Sequence, residues 1–252
     1  MREIKNMSIL ITGGGSGIGE AAARYYAEHG ARVTICGRRE DKIRAVAESI
    51  GDACAWVCAD VQNQADRVRL VSTAASHGGG IDALISNAGN MLRRSIGDWN
   101  QDELLDIFNT NVVAGMMLSQ EALPHLVQRK GCIIFIGSVY TQRAFPGAAP
   151  YAATKGALEA LVKVLASEVG PRGVRVGAVR PGAVLTEINQ RSGDFTNEEA
   201  AARLESMANQ HVLGRTGTSR EIAEGIAYLT CAEWVTGDVL SIDGGLGLGV
   251  TI

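Results

Sequence analysis

The stretch Tyr151-Ala-Ala-Thr-Lys155 sets a phenol and a primary amine four positions apart. On a helix that spacing puts both side chains on one face, a turn apart. A free phenol ionises at about pH 10. A cation beside it favours the phenolate and lowers its pKa, which brings a tyrosine closer to proton exchange at neutral pH. Taken alone, the pair also fits a half-buried anchor and a solvated charge. A second chemical possibility lies upstream, in Thr12-Gly-Gly-Gly-Ser-Gly-Ile-Gly19. This segment ends a strand-like run and opens a helix-like one. Its glycines let the backbone turn tightly and approach a phosphate, and a helix N-terminus adds free N–H groups and a positive dipole end. The loop reads as a dinucleotide cradle, although its spacing, Gly13-x-x-x-Gly17-x-Gly19, differs from the GxGxxG fingerprint.

The next strand-like run bears on which dinucleotide. A carboxylate about twenty residues beyond the loop would accept from the ribose 2'-hydroxyl of NAD. Here the run ends Cys36-Gly37-Arg38-Arg39, with Gly37 where that acid is expected. The Arg38 guanidinium offers a fork of donors to a phosphate and a plane to stack on adenine. Without the carboxylate, the 2'-phosphate of NADP meets no repulsion. The pattern points to NADP(H), with NAD(H) still open, and Arg39 fits a solvated helix start. Five cysteines at 36, 54, 58, 132 and 231 are scattered and suggest free thiols rather than a zinc site or disulfide framework. No metal is expected.

These residues need elements to position them. The chain has 252 residues, 46% hydrophobic and 20% charged, enough for one domain with a substantial core. Its formal net charge of -3 offers no basic field to nucleic acid or anionic lipid. The apolar runs are strand length, far short of a membrane span. No signal core opens the chain, so the expected location is cytoplasmic. Strands are predicted at 8–12, 32–36, 53–58, 81–86, 132–137, 174–179 and 239–242. Helices are predicted to begin near Gly17, Glu40, Asn63, Gln101, Tyr151 and Ser219. That alternation implies βαβ units around a parallel sheet. The helix over 101–127 contains Pro124 and is expected to kink or stop there. The polar segment 188–211 breaks the rhythm with a capping box at Thr196 and Glu199. It reads as a substrate lid over the C-terminal edge of the sheet, with a plain surface excursion as the alternative.

With these motifs in hand, the sequence resembles the short-chain dehydrogenase/reductase family, its 3-oxoacyl-carrier-protein reductase-like members in particular. The likeness rests on the 12–19 loop, Asp60-Val61, Asn87-Ala88-Gly89, Asn111, Ser138, Tyr151 with Lys155, Pro181-Gly182 and the late run 236–245. It covers nearly the whole chain. The resemblance implies an α/β fold, a Rossmann-like doubly wound parallel sheet of about seven strands flanked by helices, in a single domain over 1–252. It also implies a nicotinamide cofactor and an alcohol–carbonyl reaction. Gly13, Gly15, Ser16 and Ile18 would line the pyrophosphate and adenosine ribose, and Asp60 and Val61 would hold the adenine. Asn87, Ala88 and Gly89 would run beneath the adenine ribose and pyrophosphate. Pro181, Gly182, Val184 and Thr186 would border the nicotinamide. Ser16 departs from the basic residue that NADP-dependent members often carry there.

The resemblance also assigns roles. Tyr151 would exchange the proton, Ser138 would hold the substrate oxygen, and Lys155 would lower the phenol's pKa and bind the nicotinamide ribose. Asn111 would hold a water through a local break in its helix. The expected activity is NADP(H)-dependent interconversion of a carbonyl and a secondary alcohol. An NAD-dependent alcohol or polyol dehydrogenase, and a catalytically silent dinucleotide-binding sensor, are the alternatives. The partner is a small-molecule carbonyl or alcohol, with no nucleic acid and no membrane, and the assembly a homotetramer or homodimer. Arg93, Arg94 and Arg143 could each face a substrate anion or a rim salt bridge.

Overall fold

Successive side chains on a strand point to opposite sides of a sheet, so an unbroken apolar strand supplies two cores at once. In β1 (Ser8–Thr12), Ile9 and Ile11 enter one core while Leu10 enters the other. In β5 (Cys132–Ile136), Cys132, Ile134 and Ile136 serve the first core, and Ile133 and Phe135 the second. Both strands are buried at every position, as a parallel sheet with helices on both faces requires. The structure, a computed structural model, describes residues 1–188 and 196–249.

Five further strands complete the sheet among the described residues: β2 (Arg32–Gly37), β3 (Cys54–Cys58), β4 (Ala83–Ser86), β6 (Arg175–Pro181) and β7 (Asp238–Ile242). The spatial order is β3-β2-β1-β4-β5-β6-β7, and every pairing is parallel. Helices α1 (Gly17–Glu28), α2 (Glu40–Ile50) and α8 (Ser219–Cys231) cover one face. The other is covered by α3 (Gln64–Gly78), α5 (Ala114–Arg129) and α6 (Ala149–Val169). The order reverses between β1 and β4, which opens a crevice at their C-terminal ends. This is the Rossmann-like, singly cored-per-face arrangement expected from the sequence, in one domain.

Local signals set the boundaries. The Asn63 side chain accepts from the Asp66 amide and opens α3, and Gly79, in the left-handed region at φ 68°, closes it. Capping boxes at Thr196/Glu199 and Thr218/Glu221 open α7 (Asn197–Ser206) and α8. The run predicted as one helix over 101–127 is instead divided. Helix α4 (Gln101–Phe108) passes into a π turn at Asn109–Val113 and then into α5. Pro124 does not end α5, which continues to Arg129. Gln120, whose carbonyl loses its helical partner to that proline, is exposed, so water can satisfy it.

On the first face, α1 and α8 are joined by the fully buried Tyr26, whose hydroxyl hydrogen-bonds Thr230 Oγ1 at 2.6 Å. Thr230 in turn donates to the Ile226 carbonyl at 3.0 Å. Tyr26→Phe therefore removes one buried hydrogen bond without leaving a cavity. Urea unfolding of the variant is expected to show a loss of about 1 kcal/mol. No change in midpoint would mean that this bond contributes nothing to docking the two helices.

Candidate functional site

The turn from β1 into α1 carries its glycines where a side chain cannot go. Gly13 and Gly17 have φ of 68° and 59°, the left-handed region. A Cβ on Gly13 would come within 2.9 Å of Asn87 Nδ2, and one on Gly19 would collide with the Gly13 carbonyl oxygen. Asn87, just past β4, clamps the turn: its Nδ2 donates to Thr12 O at 2.8 Å and Gly13 O at 3.3 Å. Thr12 Oγ1 in return accepts from the amides of Asn87 and Ala88 at 3.0 and 2.9 Å. The cradle is rigid, and it faces a crevice that the N-terminus of α1 makes favourable to anions.

Three cations border the far end of this crevice. Arg38, just after Gly37, is exposed. Arg39 Nη2 pairs with Glu187 Oε2 at 2.6 Å and reaches Ser16 Oγ at 3.4 Å. Lys42 Nζ lies 3.9 Å from Glu187 Oε1. Only Arg38 stood out in the sequence. Arg39 is the exposed helix start read from the sequence, and there it also ties the glycine turn to the segment leading into 188–211. Asp60 closes this end and accepts from the Gln62 amide at 3.0 Å.

At the near end, α6 presents Tyr151 and Lys155 on one face, 7% and 4% exposed. Ser138, 7% exposed, follows β5 and hydrogen-bonds the Tyr151 phenol. Lys155 Nζ donates to the Ile136 carbonyl at 2.8 Å and lies 5.4 Å from the Tyr151 ring centroid. Burial pushes the phenol well above its ordinary value, and the Ser138 hydrogen bond only partly offsets it. Burial also brings the Lys155 ammonium down from 10.5 to about 8. The expected lowering of the phenol by Lys155 is thus not produced by the protein's own groups. The amine gives one N–H to a backbone carbonyl, and desolvation favours the neutral form of both side chains.

Asn111 sits behind the cleft, in the π turn, where the resemblance implied a break in the helix. Its side chain closes a tight set of bonds. Oδ1 accepts from the Asn90 amide at 2.7 Å, and Nδ2 donates to the Asn90 carbonyl at 2.9 Å and to Thr154 Oγ1 at 3.0 Å. Thr154, wholly buried, donates to the Tyr151 carbonyl at 2.8 Å. Asn90 and Thr154 were not singled out from the sequence. The only signal was the place of Thr154 between Tyr151 and Lys155 on the inward side of the helix. A second brace reaches Ser138: Thr141 Oγ1 donates to its carbonyl, and Arg180 binds Glu159 through two nitrogens at 2.9 and 2.7 Å and Thr141 Oγ1 at 3.2 Å.

One continuous cleft is lined by Gly13, Gly15, Ser16, Ile18, Arg38, Asp60, Val61, Asn87, Ala88, Gly89, Ser138, Tyr151, Lys155, Pro181, Gly182, Val184 and Thr186. Of the catalytic and cofactor-binding residues read from the sequence, only Asn111 stands outside its wall. At the Tyr151 end, Leu204 of α7 is buried against Val139, Ala183 and Leu246, with Tyr140, Phe145 and Met207 packed alongside. Arg203, Leu204 and Met207 thus line the cleft, and 189–195 lies outside the described residues. Among the described residues, no cluster of His, Cys, Asp or Glu is placed to hold a metal, and no helix is long and apolar enough to cross a membrane. The five cysteines are free.

Comparison with known proteins agrees with this geometry. A family model described as Enoyl-(Acyl carrier protein) reductase matches residues 13–247. The chain is 35% identical over 249 residues to a glucose 1-dehydrogenase of Gluconobacter oxydans, covering 95% of this chain and 91% of that one. It superposes with a TM-score of 0.92 on a short-chain dehydrogenase/reductase of unknown function from Caenorhabditis elegans, solved with cofactor. Those two are 27% identical, with 99% and 98% of the chains covered. A 3-ketoacyl-(acyl-carrier-protein) reductase from Brucella melitensis complexed with NADH gives 0.87 at 30% identity, with 97% and 99% covered.

The Lys155 environment sets a pH dependence. With its pKa lowered to about 8, the amine is charged below that pH and neutral above it. Between there and 10.5 the unfolded chain holds a proton that the folded chain does not, so this group makes stability rise with pH across that window. A titration of 15N-labelled lysine followed by NMR is expected to show one Nζ, absent in Lys155→Met, with a midpoint near 8. A midpoint at the ordinary value would contradict the buried placement.

Proposed function

Since the chain belongs to the short-chain dehydrogenase/reductase family, we propose that it interconverts a carbonyl and a secondary alcohol with NADP(H), with Tyr151 carrying the proton. Family membership makes it an oxidoreductase of CH–OH groups that uses a nicotinamide cofactor. The observation that carries the finer reading is a convergence. Tyr151, Ser138 and Lys155, from α6 and the end of β5, are buried together on the wall of a cleft whose other end is the glycine turn.

The residues present fit the cofactor. The Gly13–Gly17 turn leaves no room for a Cβ beside the path of a pyrophosphate, and the α1 N-terminus faces it. Arg38, Arg39 and Lys42 gather positive charge where a 2'-phosphate would lie. Pro181, Gly182, Val184 and Thr186 would flank the nicotinamide, and that ring supplies or accepts the hydride. Lys155 uses one N–H on Ile136 and keeps two for ribose hydroxyls. Ser138 would hydrogen-bond the substrate oxygen as charge develops on it. Tyr151 would give that oxygen its proton. At neutral pH the buried phenol is protonated, the state from which it would give its proton in carbonyl reduction. Asn111, by fixing Asn90 and Thr154, would hold the backbone around the proton path.

NAD(H) is the second reading, favoured by Ser16 in place of a basic residue and by the similar Brucella reductase complexed with NADH. The domain would span 1–252, with 188–211 as its lid. Exposed Leu105, Val113, Met116 and Val164 on α4, the π turn, α5 and α6 suit contact with further copies, as a homodimer or homotetramer. The free cysteines suit a cytoplasmic location.

Two variants test this. Tyr151→Phe should lower kcat for NADPH-dependent ketone reduction by about 100-fold or more, while cofactor affinity, followed by nicotinamide fluorescence, holds within a few-fold. Equal turnover would remove Tyr151 from the mechanism, and cofactor binding without turnover by wild type would promote the sensor alternative. Arg38→Asp should move the NADPH:NADH ratio of kcat/KM toward NADH by about tenfold or more. An unaltered ratio would refute the assignment of Arg38.

A further inference from the structure

Arg93, Arg94 and Arg143 are the arginines that the sequence left open to a substrate anion, and their surroundings separate them; Arg203 of α7 also lines the cleft. Arg94 is engaged by both carboxylate oxygens of Glu103, at 2.7 and 3.0 Å. Arg143 donates to the Leu246 carbonyl at 3.3 Å and lies outside the cleft wall. Arg93 is half-buried, lines the cleft, and forms no ion pair with any carboxylate of the described residues. Its Nη2 donates to the Tyr140 hydroxyl at 2.6 Å. A guanidinium has five N–H groups, so this bond orients the fork and leaves donors to spare. Tyr140 accepts from Arg93 and keeps its own proton to donate.

This pair is held next to the reacting groups. The Tyr140 ring stacks on Phe145 at 4.2 Å and meets Tyr151 edge-on at 5.4 Å between centroids. The wall around it is apolar, built from Val139, Ala183, Leu204 and Met207. The carboxylates that line the cleft among the described residues are Asp60 and Glu187. Both belong to the opposite end, and Glu187 is paired with Arg39 and Lys42. A half-buried guanidinium beside an apolar wall, engaged by a neutral phenol and its ring, gains when an anion joins it. One planar fork matches the two oxygens of a carboxylate, and a single charge matches a monoanion better than a phosphate dianion.

We propose that Arg93, oriented by Tyr140, reads a carboxylate on the substrate, which makes the substrate an oxo acid, or the corresponding hydroxy acid, with its reacting carbon a few bonds from the carboxylate. The word "oxo" rests on the carbonyl–alcohol reading above, whereas the anion subsite stands on the geometry of Arg93 and Tyr140. Arg93 is thereby a specificity residue.

The test separates the two. In NADPH-loaded protein, NMR titration compares butyrate, which cannot be reduced, with butyramide. In parallel, kcat/KM is measured for acetoacetate and methyl acetoacetate. Wild type should prefer butyrate, and acetoacetate over its ester, by about tenfold or more. Both ratios should collapse in Arg93→Met, survive in part in Arg93→Lys, and shrink in Tyr140→Phe, which keeps every ring contact. No carboxylate preference in wild type, or a preference that persists in Arg93→Met, overturns the subsite. Arg93-dependent butyrate binding without turnover of any ketone keeps the subsite and removes the carbonyl reading. Turnover of methyl acetoacetate with no butyrate binding does the reverse.

Discussion

A parallel sheet must be buried on both faces, and each of its strands must finish at the same edge. Everything else in this protein follows from meeting those two demands together. Continuous apolar strands such as Ile9-Leu10-Ile11 and Cys132–Ile136 feed both cores, and the helices that return the chain cover them. The turns after β1, β2, β3, β4, β5 and β6 therefore gather on one rim. They carry Gly13 to Ser16, Arg38, Asp60, Asn87 to Gly89, Ser138, and Pro181 to Thr186. Adjacent turns are then bound to each other, as Asn87 and Thr12 show. The rim is a rigid frame rather than a set of separate loops.

That rim and α6 bury groups that ordinarily face water, and hydrogen bonding compensates. No buried side-chain nitrogen or oxygen among the described residues lacks a partner. Lys155 has Ile136, Thr154 has Tyr151 and Asn111, and Asn111 has Asn90. A neutral partner satisfies geometry but does not restore the lost hydration of a charge. The amine consequently falls and the phenol rises, each toward its uncharged form. The same desolvation that keeps the Tyr151 phenol protonated thus strengthens any electrostatic contact made beside it.

Bracing from a distance completes the site. The Arg180–Glu159 pair joins β6 to α6 and reaches Thr141, which holds the Ser138 carbonyl. The π turn sets Asn111 between the turn after β4 and the Tyr151–Lys155 stretch of α6. Both devices link segments far apart in sequence, so the positions of Ser138 and Tyr151 depend on the packing of whole elements. At the substrate end, Arg93, Tyr140, Phe145 and Tyr151 form a similar chain of contacts. It joins the turn after β4 to the segment after β5.

The order of strands and helices, the glycine turn, the missing acid at Gly37 and the Tyr151–Lys155 face were all legible in the sequence. Each is a local pattern: a period of two, a period near four, or a residue type at one end of a run. Local rules failed where a residue's partner lay elsewhere in the chain. The 101–127 run looks like one helix until Asn90 and Thr154 claim Asn111. The ion pair of exposed Arg39 is invisible in the sequence because Glu187 lies 148 positions away. Arg93, Arg94 and Arg143 are alike as letters, and only the fold gives Glu103 to one, a backbone carbonyl to another and the cleft to the third. The sequence determined the kind of chemistry, because that resides in side-chain type and short-range spacing. The tertiary structure alone decided which charges stay uncompensated and which way each proton equilibrium moves, because burial and pairing are set by neighbours the chain brings together only when it folds.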